Sequence, residues 1–164
     1  MEGLPRSLSE KIKSRDTLLA PGHALPRPLV FTNGVFDILH RGHVLYLTAA
    51  RELGAALLVG VNSDSSARQL GKGADRPVNA QADRLLVLAA LECVSYVSLF
   101  DESTPCTLIE LCRPDVYVKG GDYDIEKLEE TRLVRSWGGR SVSLGFLAGY
   151  STSSLVSRIR GGER

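Results

Sequence analysis

From Leu29 onward the chain alternates between short unbroken apolar runs and longer stretches whose apolar residues recur every three to four positions. Leu29 to Phe31 and Ala56 to Val61 are runs of the first kind and read as buried strands, and Tyr96 to Phe100, Val116 to Lys119 and Ser141 to Leu147 read as three further strands. Between them the period is helical. Tyr46, Ala49, Ala50 and Leu53 share one face after the first run, and Leu86, Ala89, Ala90 and Cys93 share one within Ala82 to Cys93. A helix from Thr104 to Cys112 buries Leu108, Leu111 and Cys112 and stops before Pro114. Another runs from Ile125 to Trp137, with Trp137 packed and Gly138 and Gly139 as its stop, and in the last helix Leu155, Val156 and Ile159 face the core. Strict alternation of the two element types predicts an α/β fold, an open parallel sheet of about five strands with helices on both faces.

The first part of the chain has a different texture. Ser7 to Leu19 reads as a helix capped by Ser7 or Ser9, with Leu8, Ile12 and Leu19 as a sparse stripe. Pro21, Gly22, Pro26 and Pro28 then break it, so Ala20 to Pro28 is a linker in which His23 is a solvated loop residue. The expected organisation is an N-terminal helix and linker over 1–28 and one functional domain over 29–164.

Composition narrows the partners. At 164 residues and 43% hydrophobic, the chain supports a single core, and a net charge of +1 with scattered basic residues argues against a general nucleic-acid surface. Met1 to Arg15 is polar and charged where a secretory leader would be apolar. The longest apolar stretch, Leu85 to Val94, contains Glu92 and is too short to span a bilayer. Cys93, Cys106 and Cys112 match no zinc or redox spacing and read as reduced packing residues of a soluble, cytoplasmic protein.

The chemistry concentrates at Thr32 to His43, T-N-G-V-F-D-I-L-H-R-G-H, the turn between the first strand and its helix. Backbone N–H groups and the positive dipole end at a helix start attract anions, and His40 and His43 add two imidazoles there, a site suited to polyphosphate oxygens. Gly34 and Gly42 admit close backbone approach. Zinc is disfavoured, because the spacing is not H-E-x-x-H and no Cys or carboxylate cluster stands nearby. At the end of the second strand Asp64 either meets substrate hydroxyls or caps the helix through Gln69, two roles that are compatible. The loop Gly71 to Pro77 presents Lys72 and Arg76 either to a charged ligand or as an ordinary solvated turn. Arg84 lies near the start of the next helix. The fourth strand ends in K-G-G-D-Y, where Lys119, Gly121 and Asp122 again place polar groups at a strand end, although Asp122 also suits a plain turn.

Four consecutive hydroxyls, Ser151 to Ser154, then precede the last helix, more than an N-cap requires. Two helix starts, at Gly42 and Ser151, thus face one ligand across the sheet's crevice. The G-x-G-x-x-G and G-K-[ST] signatures are both absent, which removes a dehydrogenase reading. The residues by themselves point to a phosphate-rich ligand, a nucleotide.

The run G-V-F-D-I-L-H-R-G-H resembles the H-x-G-H signature of the cytidylyltransferase-like nucleotidyltransferase superfamily, and Y-S-T-S-S resembles its second signature, in the same order. The resemblance covers roughly Leu29 to Arg160 and implies a Rossmann-like sheet. T-N-G-x-F-D-I-L-H, N-S-D, R-P-V, V-K-G-G-D-Y and G-Y-S-T-S are most similar to the heptose 1-phosphate adenylyltransferases, which make ADP-heptose for lipopolysaccharide and in many bacteria are fused to a sugar kinase. Here no kinase half is present, so the chain looks like the stand-alone form in a Gram-negative cytoplasm, supplied by a separate heptose kinase.

The resemblance implies transfer of AMP from ATP to D-glycero-β-D-manno-heptose 1-phosphate. His40, His43, Lys72 and Lys119 would be catalytic. Thr32, Asn33, Gly34, Asp37, Gly121, Asp122, Tyr150, Ser151, Thr152 and Ser153 would join the two histidines in binding the nucleotide. Asp64, Lys72, Arg84 and Lys119 would meet the sugar phosphate. Mg2+ is expected to ride mainly on ATP, with protein ligands to the metal unassigned, and a homodimer is the assembly suggested. Val35 stands where the family commonly has cysteine, a packing swap. Two alternatives remain open at this point, a cytidylyltransferase acting on glycerol phosphate or another small phosphorylated acceptor, and a non-catalytic nucleotide-binding module.

Overall fold

All five expected strands form one parallel sheet, β1 (Leu29–Gly34), β2 (Ala56–Asn62), β3 (Tyr96–Phe100), β4 (Val116–Gly120) and β5 (Arg140–Leu144), in the order β3-β2-β1-β4-β5. The computed structural model describes residues 3–22, 24–71, 73, 75–121, 124–145 and 149–161. In register, Leu29 lies beside Ala56 and Gly34 beside Val61, while Val30 lies beside Val116 on the other side of β1. Strand order therefore reverses between β1 and β4. Connections leave this pair in opposite directions, and a crevice opens over their carboxyl ends, where open α/β sheets bind ligands.

The helices are α1 (Arg6–Ser9), α2 (Arg15–Leu19), α3 (Arg41–Arg51), α4 (Asp64–Gln69), α5 (Gln81–Ala89), α6 (Cys106–Cys112), α7 (Glu129–Arg135) and α8 (Thr152–Ile159). Because side chains alternate along a strand, one sheet needs two apolar covers. Val30, Leu57, Val59 and Val118 pack on one face with Tyr46, Leu47 and Ala50 of α3 and Leu85 and Leu88 of α5. Leu29, Phe31, Leu58 and Tyr117 pack on the other with Leu108 and Ile109 of α6 and Val134 of α7. Gly60 of β2 has no substitute, since a Cβ there would lie 2.7 Å from Cζ of Phe31. The three cysteines are unpaired, and burial pushes the Cys112 thiol up to about 12, which suits packing residues.

Several elements differ from the sequence expectation. The helix expected over Ser7 to Leu19 is two short helices. Between them Ile12 bridges Val97 in parallel, Lys13 N donates to Val97 O (2.9 Å) and Val97 N donates to Lys11 O (2.9 Å). The outer edge of β3 offers those backbone groups partners that a helix would have withheld. Ser14 caps α2 through Thr17 N. The buried face of α5 carries Arg84, Leu85, Leu88 and Ala89, while Ala90 is exposed and Cys93 lies beyond the helix, because a nearly continuous apolar run fits two helical faces equally well. The segment from Ile125 to Trp137 begins as a 3-10 turn, Ile125–Lys127, and turns α-helical only after Leu128. Trp137 donates from Nε1 to Pro114 O at 3.0 Å. Ile159, expected in the core, is 76% exposed. The last strand stops at Leu144, and Phe146 and Leu147, assigned to it from the sequence, lie outside the described residues together with His23.

Candidate active site

The loop between β1 and α3 is shaped around two stacked imidazoles. His40 is the extended residue at the N-cap of α3, and its backbone carbonyl accepts from His43 N at 2.9 Å. The rings lie 3.8 Å apart, inclined by 20°. Among the described residues, Nδ1 of each ring is buried without a hydrogen-bond partner. A buried N–H without a partner costs about 1–3 kcal/mol, so the favoured tautomer carries its proton on Nε2, the nitrogen open to the crevice. Burial, with the neighbouring His40 second, lowers the His43 imidazole to about 4, and burial lowers His40 as well. Both rings are then neutral donors at neutral pH.

Their positions follow from small neighbours. Phe36 adopts a left-handed backbone (φ 49°), rare for a bulky side chain, and sets its ring edge-on to His43 at 5.3 Å. A Cβ on Gly34 would approach Cε2 of Phe36 to 3.1 Å, so the glycine gives the ring its place. A Cβ on Gly42 would sit 3.0 Å from His40 Nδ1 and 3.3 Å from Tyr150 Cβ. That glycine lets the segment before α8 close against α3.

The crevice has a volume of about 540 Å³. Asn33, Gly34, Asp37, His40 and His43 line it from the β1 side, Lys119 from the end of β4, and Tyr150, Ser151, Thr152 and Ser153 from the start of α8. The two helix starts separated by more than a hundred residues thus share one cavity. Ser151 is the N-cap of α8 and accepts from Ser154 N at 3.1 Å, while Thr152 Oγ1 donates to Ile38 O at 3.4 Å. Asn33 Oδ1 accepts from the buried Tyr117 hydroxyl at 3.1 Å.

The model of the cytidylyltransferase-like family matches residues 31–158, most of the chain and both signature segments. The chain belongs to the cytidylyltransferase-like family. Over 154 residues it is 59% identical to the D-beta-D-heptose 1-phosphate adenylyltransferase of Bordetella bronchiseptica, covering 93% of this chain and 95% of that protein. It is 50% identical to the bifunctional protein HldE of Geotalea uraniireducens, of which the match spans 32%, against 93% of this chain. Among solved structures, the lipopolysaccharide core biosynthesis protein of Thermoplasma volcanium aligns with a TM-score of 0.61 at 30% identity, over 73% of this chain and 95% of that one.

Within this cytidylyltransferase-like chain, several residues expected at the ligand are placed elsewhere. Thr32 is fully buried, and its Oγ1 lies 2.6 Å from the Tyr46 hydroxyl, which donates to Val118 O at 3.2 Å, so its side chain ties β1, α3 and β4 together beneath the site. Arg84, expected to meet sugar phosphate, is 2% exposed. Its guanidinium donates to Val35 O (2.6 Å), Asn79 O (3.1 Å) and Asp64 Oδ1 (2.8 Å), which makes it an internal brace of the histidine loop. Asp64, expected at a substrate hydroxyl or as a cap, is the partner in that pair, and Ser63 is the cap. Gly121 lies just past the crevice-lining Gly120, hydrogen-bonded to β5 through Leu144 O. Lys72 and Asp122 lie outside the described residues.

Phe36, Asn62, Ser103, Pro105 and Glu130 line the crevice without having been singled out by sequence reasoning. Asn62 stands at a polar strand end, a signal that was available. Glu130 looks like an ordinary acidic residue of a helix first turn and becomes a buried crevice residue only through the packing of α7.

The donor set suits phosphate oxygens better than a hard cation. Among the described residues, no group of three or more His, Cys, Asp or Glu side chains is placed to hold a metal ion, and the Asp37 carboxylate is already bonded to Val78 N, Asn79 N and Arg76. Also among the described residues, no helix is long and apolar enough to cross a membrane.

Proposed function

We propose that this chain transfers AMP from ATP to D-glycero-β-D-manno-heptose 1-phosphate, giving ADP-heptose and pyrophosphate. The observation that carries the chemistry is the convergence of the His40–His43 pair and the Ser151–Ser153 helix start on one crevice. The substrate class rests on the motifs and on the 59% identical relative of that name. An oxygen of the sugar phosphate attacks the α-phosphorus of ATP, the bond from that phosphorus to the bridging oxygen breaks, and pyrophosphate leaves with the electron pair. The attacking oxygen is already anionic near neutral pH, so no strong general base is required. Catalysis then comes from alignment and from stabilising charge that grows on the α-phosphate and the leaving group.

Neutral imidazoles donating from Nε2 suit that task, since they add hydrogen bonds without a proton to lose. Lys119, at the end of β4, supplies positive charge to the same cavity. Lys72 and Asp122 join this proposal through the resemblance alone. Mg2+ would enter on the triphosphate and neutralise part of its charge. The acceptor would come from a sugar kinase, and a homodimer is the assembly we expect.

The test is pyrophosphate release from ATP and magnesium, with and without each anomer of the heptose 1-phosphate, and with CTP in place of ATP. Release that requires ATP and one anomer supports the adenylyltransferase and fixes its stereochemistry. Release with CTP, or only with another phosphorylated acceptor, moves the assignment elsewhere in the family.

A further inference from the structure

One cation of the crevice is mounted unlike any other group there. Arg76 lines the cavity with its side chain 16% exposed, and its Nε lies 2.7 Å from Oδ2 of Asp37, whose side chain is 2% exposed. The same carboxylate accepts from Val78 N at 3.0 Å and Asn79 N at 2.9 Å, and Asn79 Nδ2 donates to the Asp37 carbonyl at 2.5 Å. Two backbone donors and one guanidinium from one short segment thus converge on a buried carboxylate of the histidine loop. An exposed ion pair swings freely and is worth little, whereas this carboxylate has neither room nor a spare direction in which to move.

The ion pair anchors the guanidinium, with Nε 2.7 Å from a carboxylate oxygen that backbone N–H groups already hold in place. Its two Nη amino groups, among the described residues, hydrogen-bond to no protein atom. Two parallel N–H donors on a rigid planar fork match two oxygens of a phosphoryl group, a geometry that lysine does not supply. The imidazoles and the hydroxyls at α8 are uncharged at neutral pH, so besides Lys119 at the end of β4 the crevice draws permanent charge from this anchored guanidinium.

We infer that Arg76 is a phosphate-binding residue of this crevice and that Asp37 is the positioning residue that presents it. This moves Asp37 from nucleotide contact to support of the loop. The inference deepens the proposed function and rests on it only in requiring a phosphorylated ligand. That ligand is either the triphosphate or the acceptor's phosphate, and the two share the same chemistry at the guanidinium.

The test is calorimetric titration of the full chain with three probes, ATP, pyrophosphate and D-glycero-β-D-manno-heptose 1-phosphate. Wild type is compared with Arg76→Lys, Arg76→Gln and Asp37→Asn, with melting temperature recorded for each. Arg76→Lys is expected to keep the fold and to weaken at least one probe about tenfold, the scale of one lost charged hydrogen bond. Asp37→Asn should weaken the same probe, and added ethylguanidinium should restore part of the affinity lost in Arg76→Gln. Losses for ATP and pyrophosphate place Arg76 on the triphosphate, and loss for the sugar phosphate alone places it on the acceptor. Unchanged affinity for all three probes in folded Arg76→Lys overturns the inference and leaves the proposed function standing. A wild type that binds none of the three overturns both.

Discussion

The crevice is built from two helix starts that look alike on paper and are held very differently. At α3 the signature residues are locked. Gly42, Tyr46, Leu47 and Ala50 bury the helix, Phe36 backs His43, and two Nδ1 atoms are sealed away without partners among the described residues. At α8 no described residue is buried, the cap hydroxyl of Ser151 is already bonded to Ser154 N, and an exposed Arg160–Asp75 pair helps tie the helix to the loop before α5. One start carries its ligand groups on a buried, rigid base, while the other carries hydroxyls, two of them engaged in capping or in a bond to Ile38 O, on a light element. The histidine side is therefore where preorganisation, and most of the transition-state stabilisation, should reside. The hydroxyl side should act mainly in holding ligand.

The sharpest way to break that contrast is His43→Ala, expected to lower turnover by about 100-fold or more in pyrophosphate release, the scale of removing one donor from developing charge. A folded variant with unchanged turnover would shift the burden to α8. The same ring should show its burial by NMR, titrating near pH 4 in the free protein and moving upward when ATP is added. Since its folded value lies below the ordinary 6.5, the unfolded chain binds the proton first. His43 thus contributes stability that is full above about pH 6.5 and lost as pH falls toward 4, which denaturant midpoints at pH 7 and pH 5 would register for wild type but less for His43→Ala.

Gly42→Ala comes next. The added methyl pushes on the His40 ring and on Tyr150, with an expected loss of about tenfold in kcat and little change in melting temperature. Ser151→Ala should cost about 1 kcal/mol of local helix stability by removing a cap and should raise the KM for ATP more than it lowers kcat. Smallest of all, Ile159→Ser on the exposed end of α8 should leave both kinetics and unfolding unchanged. A large effect there would mean that α8 is buried against something in solution.

The same contrast explains what could be read from the sequence. Strand runs were legible because β1 opens on Leu29–Phe31 and β2 carries the apolar stretch Ala56–Val61, and both helix starts were legible as short polar motifs ahead of a helical period. What escaped was set by tertiary packing. Arg84 reads as a surface cation in a helix first turn, and only the convergence of Val35 O, Asn79 O and Asp64 around it turns it inward. Thr32 is a polar residue at a strand end, and its burial depends on a tyrosine fourteen positions away in sequence. Phe36 gives no sign of its left-handed backbone, since a bulky side chain is the last place where local sequence would predict one.

The segment around Ile12 carries none of this chemistry, yet it settles a different matter. β3 ends the sheet, and without the bridge to Val97 its outer row of amides and carbonyls would stand open as a template for a strand from another molecule. A version trimmed to begin at Pro28, just before β1, would keep the sheet and the crevice and lose that cover. Such a fragment should therefore precipitate or self-associate through its sheet edge, a face that in the whole chain is covered by a few residues far from the crevice.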